Sequence, residues 1–85
     1  MPGQGYSNIL IELPEEDLGI VIELKYSEGP NLEAACKEAL AQIEEKDYAA
    51  RLVNDGMTSI LKYGIACRRN ICMVRMSNCE NNISF

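Results

Sequence analysis

The run Gly19-Ile20-Val21-Ile22-Glu23-Leu24-Lys25-Tyr26 limits the folds open to this chain more than any other stretch. It is short, rich in β-branched residues, and flanked by Asp17-Leu18-Gly19 and Ser27-Glu28-Gly29-Pro30, the pattern of a strand between turns. Side chains alternate along a strand, so Val21, Glu23 and Lys25 point one way and Ile20, Ile22 and Leu24 the other. An acid and a base therefore stand side by side on a strand otherwise apolar enough for a sheet interior. Buried charges are costly unless paired or metal-bound. The simplest expectation is an edge strand whose second face meets water, and a functional site is the sharper one.

The neighbouring segments extend the pattern. Ser7 to Leu13 reads as a strand, with Ile9, Ile11 and Leu13 on one face and Asn8, Leu10 and Glu12 on the other. Pro14-Glu15-Glu16-Asp17 ends it in a solvated turn, so the first two strands form an antiparallel hairpin. Asn31 is placed to cap a helix with Glu33 in its first turn, and Leu32, Cys36, Ala39, Leu40 and Ile43 give that helix one apolar face. The periodicity carries it to Val53, with Asn54-Asp55-Gly56 as the stop. Thr58 to Cys67 and Ile71 to Met76 read as two more strands around Arg68-Arg69-Asn70. The order β-β-α-β-β implies an α/β (α+β) fold: a small mixed sheet of four strands with one long helix on one face. The other face is also partly apolar, which points to a partner subunit, a homodimer being the simplest. Residues 1–6 form a disordered lead-in, residues 7–76 the domain and residues 77–85 a frayed tail.

Composition narrows the chemistry. The 85 residues carry 13 acids against 8 bases, a net charge of -5, which opposes whole-surface attraction to nucleic acid but leaves room for a local basic patch. Histidine is absent, so catalysis would rest on carboxylates, Lys, Tyr or Cys. Cys36, Cys67, Cys72 and Cys79 lack CxxC spacing and His partners, which speaks against zinc. Reduced, structural thiols are expected, although Cys67 and Cys72 could face each other across a hairpin. No signal-like start or membrane-length apolar run is present, so the expected location is cytoplasmic, with no membrane partner.

Taken in order, a first strand, a turn, a strand with Glu-x-Lys and a helix carrying Gln42 and Tyr48 resemble the PD-(D/E)XK nuclease superfamily. The closer likeness is to the nuclease-like domain at the C-terminus of bacterial AAA-ATPase-like proteins of unknown function. It is carried by Gly5-Tyr6-Ser7-Asn8-Ile9-Leu10-Ile11-Glu12, by Ile20 to Lys25, by Glu38 to Ile43 with Lys46-Asp47-Tyr48, and by Ile60 to Ala66. The resemblance implies a restriction-endonuclease-like core in which Glu23 binds Mg²⁺ or Mn²⁺ and Lys25 is the catalytic lysine. Gln42 and Tyr48 match helix positions that support the site or touch nucleic acid.

Two departures accompany the match. Asn8 stands where the family has its metal-binding Asp, and an uncharged amide should weaken any metal site. Glu12 shares that face but lies ~13 Å along the strand, too far to substitute. The family core also opens with a helix that covers one sheet face, whereas six residues precede the first strand here, so a truncated core is expected. The resemblance thus implies a degenerate or truncated nuclease-like domain with metal-dependent phosphodiester hydrolysis weak or lost. The alternatives are a non-catalytic interaction or dimerisation module and a fragment of a larger ATPase-linked protein. Contact with nucleic acid would be weak and would rest on Lys25, Lys62, Arg68, Arg69 and Arg75, with Arg68-Arg69 at a hairpin tip.

Overall fold

Pro14 has no N–H to give a neighbouring strand, and the first hairpin turns at this residue. In the computed structural model, which describes residues 6–78, β1 (Tyr6–Leu13) passes through a short 3-10 turn, Pro14–Glu16, into β2 (Leu18–Tyr26). Asp17 takes the left-handed conformation (φ 56°) that reverses the chain, a role that Asp tolerates better than most residues. The hairpin is antiparallel with Asn8 opposite Glu23 and Glu12 opposite Gly19.

The helical segment begins at Asn31, whose side-chain oxygen accepts a hydrogen bond from the Ala34 N–H, and α1 spans Leu32–Lys46. It does not run on to Val53 as the periodicity suggests. Asp47 is left-handed (φ 57°), ending α1 and starting a second short helix, α2 (Tyr48–Asn54). Gly56, at φ 96°, then admits the turn that returns the chain to the sheet. β3 (Ser59–Arg68) and β4 (Ile71–Asn78) complete a four-stranded sheet of order β1-β2-β3-β4. β2 and β3 are parallel, joined by the helical crossover that a parallel pair requires, and the outer pairs are antiparallel. The mixed sheet and the α+β class agree with the sequence expectation. Ser77 and Asn78 lie in β4 rather than in a frayed tail, and Tyr6 lies in β1; the rest of the expected lead-in and tail falls outside the described residues.

Register sorts the side chains. Asn8, Leu10, Val21, Glu23, Lys25, Ile60, Lys62, Gly64, Ala66, Met73 and Arg75 share the face beneath the helices. Val21, Ile43, Leu52, Met57 and Ile60 form the main core there, and Ala35, Cys36 and Ala66 a second cluster. Gly64 sets how closely α1 approaches: a Cβ there would lie 2.6 Å from the Cys36 carbonyl oxygen. β2 is an interior strand, not an edge, and its charged side chains point into the covered face. The opposite face carries Ile9, Ile11, Ile20, Ile22, Leu24, Leu61, Tyr63, Ile65, Val74 and Met76. No described element packs on it, and Ile9, Val74 and Met76 are each more than half exposed.

The expectation of reduced thiols fails at one place. Cys67 and Cys72 oppose each other in the β3–β4 ladder and are joined by a disulfide. Cys36 is free and buried, its thiol donating to the Met73 carbonyl at 3.2 Å. Among the described residues, no helix is long and apolar enough to cross a membrane.

Candidate functional site

The alternation of β2 places Glu23 under the helices because Val21 and Lys25 must share its face. The residue is 1% exposed, and its Oε1 has no hydrogen-bond partner. An orphan carboxylate oxygen in that position is expensive, since desolvation disfavours its charge. Burial accordingly raises the Glu23 pKa above the ordinary 4.5, and the positive charge of Lys46, at the end of α1, partly offsets this.

Asn8 sits directly across the ladder from Glu23. Its amide donates a 3.0 Å hydrogen bond to the Tyr48 hydroxyl, which ties edge strand β1 to the first residue of α2. The Tyr48 hydroxyl is itself pushed up in pKa, first by burial and then by the negative charge of Glu23. Asn8, Glu23, Tyr48 and Lys46 therefore form one neighbourhood. The break at Asp47 makes it: by ending α1 there, the chain sets Lys46 and Tyr48 around a single left-handed residue.

Lys25 shares the face of Glu23, two residues along, but its ammonium is engaged elsewhere. It pairs with Glu38 at 3.5 Å and lies 4.6 Å from the centre of the Tyr6 ring. Gln42 is partly buried on α1 one turn before Lys46 and forms no hydrogen bond with the other candidate residues. Arg68 and Arg69 occupy the β3–β4 turn, ~13 Å along the strand from the level of Glu23. Arg68 Nε donates to the Glu28 carbonyl at 3.4 Å, and Arg69 is exposed.

The other expected nucleic-acid contacts form ion pairs with α1. Lys62 is 5% exposed and ion-paired with Glu44, while Arg75 pairs with Glu33 at 2.7 Å. With Lys25–Glu38, three covered-face bases, Lys25 on β2, Lys62 on β3 and Arg75 on β4, thus each meet one acid of α1. Glu33, Glu38 and Glu44 are spaced to straddle the sheet, a match that helix periodicity alone does not reveal. Glu12 is removed from Glu23 as strand rise requires; its pKa is raised first by a hydrogen bond with Asp55 and then by desolvation.

Lys46 is the residue that sequence reasoning missed. Its signal lay in Lys46-Asp47-Tyr48, because Asp enters the left-handed region readily enough to end a helix. Among the described residues, no group of three or more Cys, Asp or Glu is gathered for a metal ion. Glu23 and Asn8, opposite each other in the ladder, would offer a hard cation one carboxylate and one neutral amide oxygen, a donor set that would bind it weakly.

The family model described as the PD-(D/E)XK nuclease superfamily matches residues 2–77. No curated protein and no solved structure matches the chain.

Proposed function

Since the chain belongs to the PD-(D/E)XK nuclease superfamily, we propose that it is a degenerate nuclease domain, with metal-dependent phosphodiester hydrolysis weak or lost. The observation that carries this reading is the buried, unpartnered Glu23 Oε1 with an amide, not an acid, across the ladder at Asn8. Nucleases of this superfamily usually use Mg²⁺ or Mn²⁺. Glu23 and Asn8 would hold such an ion, which when bound would polarise a phosphate and lower the pKa of water.

The remaining roles belong to the chain's own side chains. Lys25 would orient the attacking water, and to do so its ammonium must leave Glu38 and Tyr6. Tyr48 would fix Asn8 through their hydrogen bond. Lys46 would partly neutralise Glu23 when no metal is present, which further disfavours a dication at a site with one carboxylate. Arg68 and Arg69 are the described strand-end bases best placed for phosphate, and they would give weak, salt-dependent contact with nucleic acid. The likeness to domains that follow AAA-ATPase-like modules leads us to read the unit as one that works beside such an ATPase.

A calorimetric Mn²⁺ titration of the chain beside its Asn8→Asp variant tests the assignment. The variant should bind one ion with affinity raised by about tenfold or more, Glu23→Ala should remove binding, and cleavage of single- and double-stranded DNA should follow the bound ion. Absence of binding in both forms would overturn the metal-site reading.

A second reading, an interaction module, is favoured by the apolar face that no described element covers.

A further inference from the structure

We propose that the open face of the sheet is the interface of a two-fold homodimer, in which the acidic β1–β2 turn of one copy meets the basic β3–β4 turn of the other. Among the described residues, every side chain that the ladder places on that face is uncharged, although a quarter of the chain is charged. Two molecules of net charge -5 repel, and a charge-free face is where they approach at least cost. Four strands of eight to ten residues give a flat footprint of about 500 Å², which side-chain relief enlarges. That approaches the ~800 Å² per partner of a standard interface. Stacked sheets bury such faces against each other at ~10 Å separation.

The charges at its ends specify a copy rather than an arbitrary apolar partner. Glu15, Glu16 and Asp17 form the turn at one end of the sheet, and Arg69 sits in the turn at the other beside Arg68, the last residue of β3, with Glu28 as the only described acid there. The two turns lie at diagonal corners, offset by about 10 Å across the strands and about 30 Å along them. A two-fold axis in the interface plane, perpendicular to that diagonal, superimposes each turn on the partner's opposite turn. It leaves the strands of the two sheets roughly 35° from antiparallel, a crossing of the size found when sheets stack in alignment. The acid-to-base match then occurs twice, as an isologous interface demands. The proposal is independent of the metal site, which lies on the other face of the sheet, and it gives Arg68 and Arg69 to the partner in place of phosphate.

Sedimentation velocity on the full chain from ~10 to ~500 µM, in low and high salt, tests it. A dimer is expected, weakened by salt and converted to monomer by Ile22→Lys at the centre of the face. The double variants Arg68→Glu/Arg69→Glu and Glu15→Lys/Glu16→Lys should each weaken self-association by about tenfold or more. An equimolar mixture of the two should associate at least as well as the parent, because one carries acid at both ends and the other base at both ends. These substitutions are on exposed turns, so they remain informative if Ile22→Lys fails to fold. A folded monomer at ~500 µM overturns the proposal, as does a dimer that is indifferent to both charge variants, or charge variants that mixing does not rescue.

Discussion

On the covered face β2 presents Val21, Glu23 and Lys25, and on the open face the same nine residues present Ile20, Ile22 and Leu24. The first face is the more polar and the more buried. It carries Glu23 at 1% exposure and Lys62 at 5%, while the apolar second face leaves Val74 and Met76 more than half in solvent. Packing explains how the polar face tolerates its charges. Helix α1 brings Glu33, Glu38 and Glu44 to Arg75, Lys25 and Lys62, so the bases beneath it are paired. Among the described residues, Glu23 Oε1 is the one buried side-chain polar atom without a hydrogen-bond partner, and such an exception in a native layer calls for a physical reason.

The largest expected effect separates the faces by packing. Ile43→Ala, in the core beneath the helices, should cost about 3 kcal/mol in urea unfolding. Val74→Ala, on the open face at a concentration where the protein is monomeric, should cost well under ~1 kcal/mol. Equal costs would mean that the open face is already covered. Next, Gly64→Ala should destabilise by ~1–3 kcal/mol, because its Cβ meets backbone at the Cys36 carbonyl and α1 must shift outward.

Glu23→Gln sharpens the comparison through pH. The folded state holds the Glu23 carboxyl above its ordinary 4.5, so it binds a proton more readily than the unfolded chain. The stability of the parent is therefore greatest below that value and falls as pH rises through the raised folded value. The variant lacks this loss, so its advantage over the parent should be absent near pH 4 and grow toward pH 7. Unfolding curves that stay parallel across this range would show that Glu23 is already compensated. The smallest effect is expected for Tyr48→Phe, which deletes the acceptor for the Asn8 amide at a partly exposed site and should cost ~0.5 kcal/mol while loosening β1 from α2.

Much of this was legible in the sequence, because alternation and turn chemistry are local. The β1–β2 hairpin follows from Pro14 and the acids after it, the N-cap from Asn31, and the facing of Glu23 and Lys25 from strand period alone. What escaped depended on distant partners. Interior placement of β2 is set by its parallel pairing with β3, more than thirty residues away. The engagement of Lys25, Lys62 and Arg75 is set by where α1 crosses the sheet. The facing of Cys67 and Cys72 was open to the sequence as a local hairpin pairing, and the β3–β4 register sets them directly opposite each other. The break at Asp47 needed a choice between a continuous helix and one left-handed residue, which periodicity cannot make.

The most direct test of a carboxylate site on the covered face is paramagnetic broadening of backbone amide resonances by Mn²⁺ in the Asn8→Asp variant. Broadening should centre on residues 8 and 23 and extend to Lys46 and Tyr48, leaving Val74 and Met76 on the open face sharp. Broadening centred instead on Glu12 and Asp55, or on Glu15 and Glu16, would place the cation elsewhere and contradict the assignment of Glu23.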